Sequence, residues 1–373
     1  MLEVKSIKVE NYRSLRDVEI SAQTINIFTG PNGAGKSTLY NCLSLVQAAA
    51  AGDLSTVLAR EGGMQSAISS TGRAHPRGPL RITLTVRIGV QRTDDVLYEY
   101  VVSLGLVEQR FEGGEKIVSG PAFEFEPQIK EESLSVFDKG RRWSVLHRRN
   151  SHVKAMDEST TQVDLSRALN LQASETALSR IDEPSRYPDI YVVRRFMLDW
   201  RFYHEIRTDF KSPLRSPCLA VTSLTLNSDG SNLPAVLASA KHIVGDTSDI
   251  DEVIATAFAG AELVVPRPAR EASFGLNYPD ISNRIFNQWE LSDGTLKFLG
   301  LVGALLAPRL PAFIALNEPE NSLHPSLYEP LAKLIERASR RTQIWLVTHA
   351  DEFAYSVCER SNDTIPAVGS AAT

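Results

Sequence analysis

The run Gly30-Pro31-Asn32-Gly33-Ala34-Gly35-Lys36-Ser37 decides how the rest of the chain is read. An apolar stretch, Ile25-Asn26-Ile27-Phe28, precedes it, and helix-forming residues follow from Thr38 to Ala51. A G-x-x-x-x-G-K-[ST] match between a strand and a helix is a phosphate-binding loop. Each residue type has a physical reason. Gly30, Gly33 and Gly35 let backbone N–H groups crowd around an anion in conformations that a side chain would obstruct. The helix that begins near Lys36 points the positive end of its dipole at the same place. Lys36 reaches the outer phosphate oxygens, and Ser37 offers a hydroxyl to Mg²⁺. The motif implies a bound nucleoside triphosphate.

Working outward, Val4 to Val9 alternate apolar and polar, and a second alternating run ends at Ile20. The pair predicts a hairpin of two strands leading into the phosphate-loop strand. On the other side, the helix should end near Gly52, followed by a loop holding Gly62-Gly63-Met64-Gln65. Gly72 to Pro79, rich in Gly, Pro and Arg, marks a boundary. From Leu80 the period becomes two, in Arg81–Ile88 and Leu97–Leu104, with further strand-like pieces at Phe123–Phe125 and Trp143–Leu146. This predicts a meandering antiparallel sheet. From about Val163 the period lengthens through Leu165, Leu169 and Leu178, and Ile190–Ile206 reads as helix. A proline-broken connector, Lys211–Pro217, leads to Asp229-Gly230-Ser231-Asn232, a turn and cap before a helix over Leu233–Val244.

The final third is α/β again. Leu291-Ser292-Asp293-Gly294-Thr295 opens an apolar helix through Leu306, and an apolar strand, Ala312–Leu316, ends in Asn317-Glu318-Pro319-Glu320. A helix over Pro325–Ser339 leads to a strand, Gln343–Val347, that ends in Thr348-His349. A carboxylate at the carboxyl end of a buried strand is what a phosphate-loop fold uses to hold Mg²⁺ and orient water. Glu318 stands at such a place, and His349 ends the next strand similarly. Either alone would be an ordinary surface residue. The order strand-Glu, helix, strand-His after a phosphate loop favours a functional reading.

Taken together, these motifs resemble the ABC-type ATPase heads of the SMC, RecF and OLD class. Within that class the chain is most like the bacterial stand-alone "predicted ATPases" of the AAA-like ABC type. The Asn11-Tyr12-Arg13-Ser14-Leu15-Arg16-Asp17 opening, Arg60-Glu61-Gly62-Gly63 and Asp229–Leu233 share in the resemblance. It implies a mixed-sheet head with an antiparallel β subdomain and a helical insert, divided as residues 1–78, 79–220 and 221–373. It also implies ATP and Mg²⁺ as ligands. ATP would be held by Gly30, Pro31, Asn32, Gly33, Ala34, Gly35, Lys36, Ser37 and Thr38, with Arg13 near the nucleotide. Ser292, Asp293 and Gly294 would be the signature that touches the γ-phosphate bound by a partner copy. Glu318 would polarise water, with Lys36 and His349 beside it in catalysis, and Asn321 to His324 would form the D-loop. Ser37, Gln65 and Asn317 would face the metal. Gln65 is preferred as the Q-loop residue over Gln47, which is expected to face solvent from inside the first helix. The position before the catalytic glutamate is usually acidic in this class, and Asn317 there implies a weaker Mg²⁺ seat and slow turnover.

Composition sets the remaining expectations. A net charge of −5 and a pI near 5.9 exclude a protein coated in nucleic-acid contacts. Local clusters at Arg141-Arg142, His147-Arg148-Arg149 and Arg194-Arg195 could still track phosphates. The start lacks a signal-peptide pattern, and no apolar run approaches the ~20 residues that span a bilayer. Three cysteines, an odd and widely spaced set, suggest a reducing cytoplasm. The tail after Arg360 is small and polar, and is expected to be disordered. The expected function is a slow ATPase that closes as a nucleotide-sandwich homodimer, with DNA or an effector protein as further partners, in DNA maintenance or defence against phage. The alternative is a nearly inactive ATP-sensing switch acting on an effector such as a nuclease. No heptads support a tether, and the signature and D-loop differ from those of transporter subunits.

Overall fold

The computed structural model describes residues 2–31, 33, 35–69, 80–90, 96–106, 111–112, 115–116, 123, 125–204, 206–279 and 282–361. Asn32, Ala34, the Gly72–Pro79 boundary and the chain beyond Ser361 lie outside these. Strands β1 (Leu2–Tyr12) and β2 (Leu15–Ser21) form the expected hairpin, with Tyr12 opposite Leu15. Strand β3 (Ile25–Phe28), buried throughout, feeds helix α1 (Lys36–Ala51). That helix stops where Gly52 turns left-handed (φ 88) and donates to the Ala48 carbonyl. By contacts the described residues divide into two compact units, one of 2–23 and 33–200, the other of 24–31 and 201–361.

The first unit is built on an eight-stranded antiparallel sheet. Short helices α2 (Leu54–Arg60) and α3 (Gly63–Ala67) replace the expected glycine loop. Then come β4 (Ile82–Val90) and β5 (Val96–Gly105), a two-residue ladder of β6 (Phe111–Glu112) with β7 (Glu115–Lys116), and β8 (Gln128–Asp138). The sheet continues through β9 (Arg141–Arg149), β10 (His152–Met156) and β11 (Gln162–Asp164), in the order β11-β10-β9-β8-β5-β4-β1-β2. Period two in β4 matches a strand with Ile82, Leu84, Val86 and Ile88 buried on one face. Helix α1 lies against this sheet at β1 and β4. The N-terminal hairpin is part of the same sheet, Ile7 lying opposite Val86. One strand expectation changes, while the piece at Trp143–Leu146 lies in β9. Phe123 and Phe125 are exposed and outside any strand, and the strand that follows is β8. Its Glu131-Glu132 interrupts the apolar pattern, although Glu132 is fully buried. The helical period resolves into α4 (Ser166–Leu169), α5 (Ala177–Arg180) and α6 (Pro188–Leu198).

The expected helix over Ile190–Ile206 therefore breaks. Residues Arg201–Tyr203 form β12, an edge strand of a second, wholly parallel sheet in the order β12-β18-β19-β3. Three residues carry no readable period, and parallel pairing with β18 makes them a strand. Around this sheet lie small antiparallel ladders: β13 (Cys218–Leu219) with β15 (Glu271–Ala272), and β14 (Glu262–Val264) with β16 (Gly275–Tyr278) and β17 (Ser282–Asn287). Helix α7 (Leu233–Ser239), continued by a π-turn through Val244, and α8 (Ser248–Ala257) precede α9 (Asp293–Leu305). A Cβ at Gly303 would collide with Leu233, so α7 and α9 approach closely. Strand β18 (Phe313–Asn317), α10 (Tyr328–Ser339), β19 (Gln343–Val347) and α11 (Asp351–Ser361) complete the unit. The stripe Leu331, Leu334, Ile335 and Ala338 on α10 is buried in the same core as Ile314, Leu316 and Ile344. Among the described residues no helix is long and apolar enough to cross a membrane.

Candidate functional site

The four parallel strands end along one edge. Tyr203 lies beside Leu316, Asn317 beside Val347, and Val347 beside Phe28. Beyond those ends, in spatial order, stand His204, Asn317-Glu318, Thr348-His349 and Thr29-Gly30. The carboxyl edge of a parallel sheet is where α/β folds hold ligands.

Glu318 leaves β18 with a left-handed backbone (φ 48), and its N–H donates to the Val347 carbonyl at 2.8 Å. Its carboxylate is engaged on both sides: His349 Nε2 lies 2.8 Å from Oε1, and Asn321 Nδ2 donates to Oε2 at 2.5 Å. The structure thus brings Glu318 and His349 together. Glu320, which sequence reading passed over, lies beneath them, 4% exposed. Its Oε1 accepts from the Thr348 hydroxyl and from the His349 N–H (3.1 Å), while Oε2 is buried with no hydrogen-bond partner among the described residues. Asn317 is likewise buried. Its Nδ2 donates to His204 Nδ1 at 2.7 Å, and its Oδ1 has no partner among the described residues. The signal for Glu320 was in the sequence, two residues past Glu318 in the same turn. None marked His204.

The proposed signature caps α9. Ser292 Oγ accepts from Thr295 N at 3.2 Å and lies 2.8 Å from the Thr295 hydroxyl. Asp293 pairs with Arg215 at 2.6 Å, and Arg215 also donates to the carbonyls of Leu291 (2.8 Å) and Trp289 (3.2 Å). A Cβ at Gly294 would stand 3.1 Å from Ser322 O, so the turn after β18 closes onto the start of α9. His324 caps the short helical turn Pro325–Leu327, its Nδ1 accepting from Ser326 N.

The first unit holds the rest of the glycine loop. Gly33 and Gly35 are left-handed (φ 84 and 91), as is Gly30 (φ 147) in the other unit. A Cβ at Gly33 would meet nothing within 4 Å, whereas one at Gly35 would press on Ser14 Oγ at 3.2 Å. Lys36, at the first position of α1, is buried, Ser37 is exposed and Thr38 half-buried. The first turn of α1 has no acidic residue, and Gly35 provides no side-chain cap. The exposed Pro31 precedes it. Arg13, left-handed in the hairpin turn (φ 50), pairs with Glu61 at 2.9 Å, and the Tyr12 hydroxyl donates to the same carboxylate at 2.7 Å. Gln65 is exposed on α3. Gln47 does not face solvent as expected: its Nε2 donates to the carbonyls of Trp200 (2.7 Å) and Met197 (3.4 Å). The basic clusters are partly committed too. Arg148 is 1% exposed and donates to the carbonyls of Asn150, Gln172 and Glu175, and Arg194 pairs with Asp182. Neither is available to a phosphate backbone.

Two observations fit a nucleotide with Mg²⁺. In the first unit nothing stands within 4 Å of where a Cβ of Gly33 would lie, and in the second Asn317 Oδ1 is buried with no hydrogen-bond partner among the described residues. Hydroxyl and amide oxygens suit a hard cation that keeps water and phosphate as its other ligands.

The matches to known proteins agree. Residues 25–354 match the model of the family described as "AAA domain, putative AbiEii toxin, Type IV TA system", and the chain belongs to that family. No curated protein matches the sequence. Among solved structures the chain is similar to the "SmcHead bound to the C-winged helix domain of ScpA", at 12% identity, with a TM-score of 0.51 over 95% of this chain and 92% of that one. At such identity the likeness is one of fold. An Smc head bound to the C-terminal domain of ScpA, derived from Pyrococcus furiosus, gives 12% identity and a TM-score of 0.49 over 95% and 92% of the two chains. The SMC head domain from Thermotoga maritima gives 14% and 0.41 over 96% and 92%. The chain is thus a member of an AAA-domain family whose fold is similar to that of an SMC head domain.

Proposed function

We propose that this protein binds ATP with Mg²⁺, hydrolyses it slowly, and closes on a second copy of itself when loaded. The observation that carries the reading is Glu318 paired with His349 at the ends of adjacent parallel strands, in the sheet whose β3 feeds the glycine loop. Gly30 to Thr38, Lys36 foremost, would hold the phosphates. Ser37, Asn317 and Gln65 would face the metal, and bound there Mg²⁺ would draw charge from the phosphate oxygens. Glu318 would orient water and His349 would hold Glu318. Ser292, Asp293 and Gly294, which cap and close the start of α9 in their own copy, would also meet the phosphate bound by the other copy, which is why a partner is invoked. Arg13 would have to leave Glu61 to reach a nucleotide. An effector-controlling role in defence against phage accords with the toxin wording of the family description. DNA contact would fall to the exposed Arg141, Arg149 and Arg195 and would weaken steeply with salt. A nearly inactive, ATP-sensing form of the same switch is favoured by the amide of Asn317 and by a Glu318 carboxylate with both oxygens already engaged.

The test is calorimetry with ATP. Lys36→Ala should abolish measurable binding, and unchanged affinity would overturn the assignment. Glu318→Gln with ATP should sediment as a dimer, and adding Ser292→Arg should restore the monomer.

A further inference from the structure

We propose that His204 is a positioning residue that aims the Asn317 amide, turning its oxygen to the metal that a carboxylate would otherwise attract by charge. The inference rests on the ATP–Mg²⁺ reading above. The two ends of a carboxylate are alike, so an aspartate at the end of β18 would need no aiming. An amide has unlike ends of nearly equal size, and only the oxygen can serve a hard cation. Turned the other way, it would present two N–H donors to the metal. Something must break that tie.

The structure supplies one partner for one end. Asn317 Nδ2 lies 2.7 Å from His204 Nδ1, and Oδ1 is left buried without a partner among the described residues. A ring nitrogen accepts from the amide only in the tautomer that carries its proton on Nε2, and that tautomer selects Nδ2 over Oδ1. The backbone fixes the encounter. His204 is the first residue beyond β12, and the parallel register of Tyr203 beside Leu316 sets it alongside Asn317. A three-residue edge strand thus delivers one side chain to the end of the central strand. His204 is itself exposed.

The experiment is a Mg²⁺ titration of ATP binding, followed by calorimetry on the full chain. His204→Ala should raise the Mg²⁺ needed for half-maximal tightening about fivefold, the worth of one net hydrogen bond, and leave affinity in EDTA unchanged. His204→Gln, which keeps an acceptor, should stay near wild type. In the Asn317→Asp background His204→Ala should have almost no effect, because a carboxylate has no wrong end. An equal shift in both backgrounds would assign His204 a merely structural role and overturn the proposal. So would a Gln variant that behaves as Ala, or an Ala variant that titrates as wild type. If Lys36→Ala still binds ATP, the nucleotide reading itself fails. If Lys36→Ala loses binding and the His204 series is flat, only the aiming role fails.

Discussion

Glu132 in the antiparallel sheet and Asn317 and Glu320 in the parallel one are buried to much the same degree, yet they are served differently. Both oxygens of Glu132 are met: Oε1 accepts from the Tyr100 hydroxyl (3.1 Å) and Leu178 N (2.9 Å), and Oε2 from Ala177 N (2.7 Å). Arg148 stands 3.9 Å away and spends its own N–H groups on three backbone carbonyls. Burial pushes the Glu132 carboxyl above its ordinary range, and the two backbone N–H groups and Arg148 pull it back. Asn317 and Glu320 each keep one buried oxygen with no partner among the described residues. A buried polar group is normally satisfied, and leaving one unmet is costly. The contrast separates a network that ties segments together from strand ends whose unmet oxygens the proposed ligand would engage.

Breaking the first network should have the largest effect. Arg148→Met would leave Glu132 as an uncompensated buried acid and free three carbonyls, at a cost of about 3–5 kcal/mol in chemical denaturation. A loss below about 1 kcal/mol would show that the pair is as dispensable as a surface one.

At the parallel strand ends the expected change runs the other way. Asn317→Asp supplies a full charge at an oxygen now unmet. It should lower the Mg²⁺ required for half-maximal ATPase and raise turnover about tenfold, equivalent to ~1.4 kcal/mol off the barrier. Superimposable Mg²⁺ titrations would return Asn317 to a purely structural task.

The smallest effect should come from a pair that is neither buried nor orphaned. Glu252 on α8 meets Lys333 and Arg337 of α10, each at 2.5 Å, and their hydrogen bonds bring its pKa down to about 2. A depressed carboxylate contributes stability that is fully present above its unfolded value of 4.5 and is lost as pH falls through about 2. Glu252→Gln should therefore lower the melting temperature slightly at pH 7, less in high salt, with the gap closing near pH 2. A gap that persists in acid would point to lost packing.

Much of the architecture was legible because its signals are local. The hairpin, the extent of α1, the cap at Ser292 and strand β19 follow from periodicity, capping residues and left-handed glycines within short windows. Strand β8 was hidden because Glu132 reads as surface and is buried only through distant partners, Tyr100 and residues 177–178. Gln47 was misread for a related reason, since its acceptors lie in the turn after α6, far along the chain.

At the proposed site the division is equally physical. The glycine loop, Glu318 and His349 are determined by the sequence alone, because phosphate binding and strand-end placement need particular residue types at particular spacings. The exposure of Gln65, the commitment of Arg13 to Glu61 and the half-met oxygens of Asn317 and Glu320 were decided by tertiary structure. His204 shows why most plainly. It reaches Asn317 across a parallel register between segments more than a hundred residues apart in sequence, and three residues of edge strand have no pattern of their own until that pairing forms.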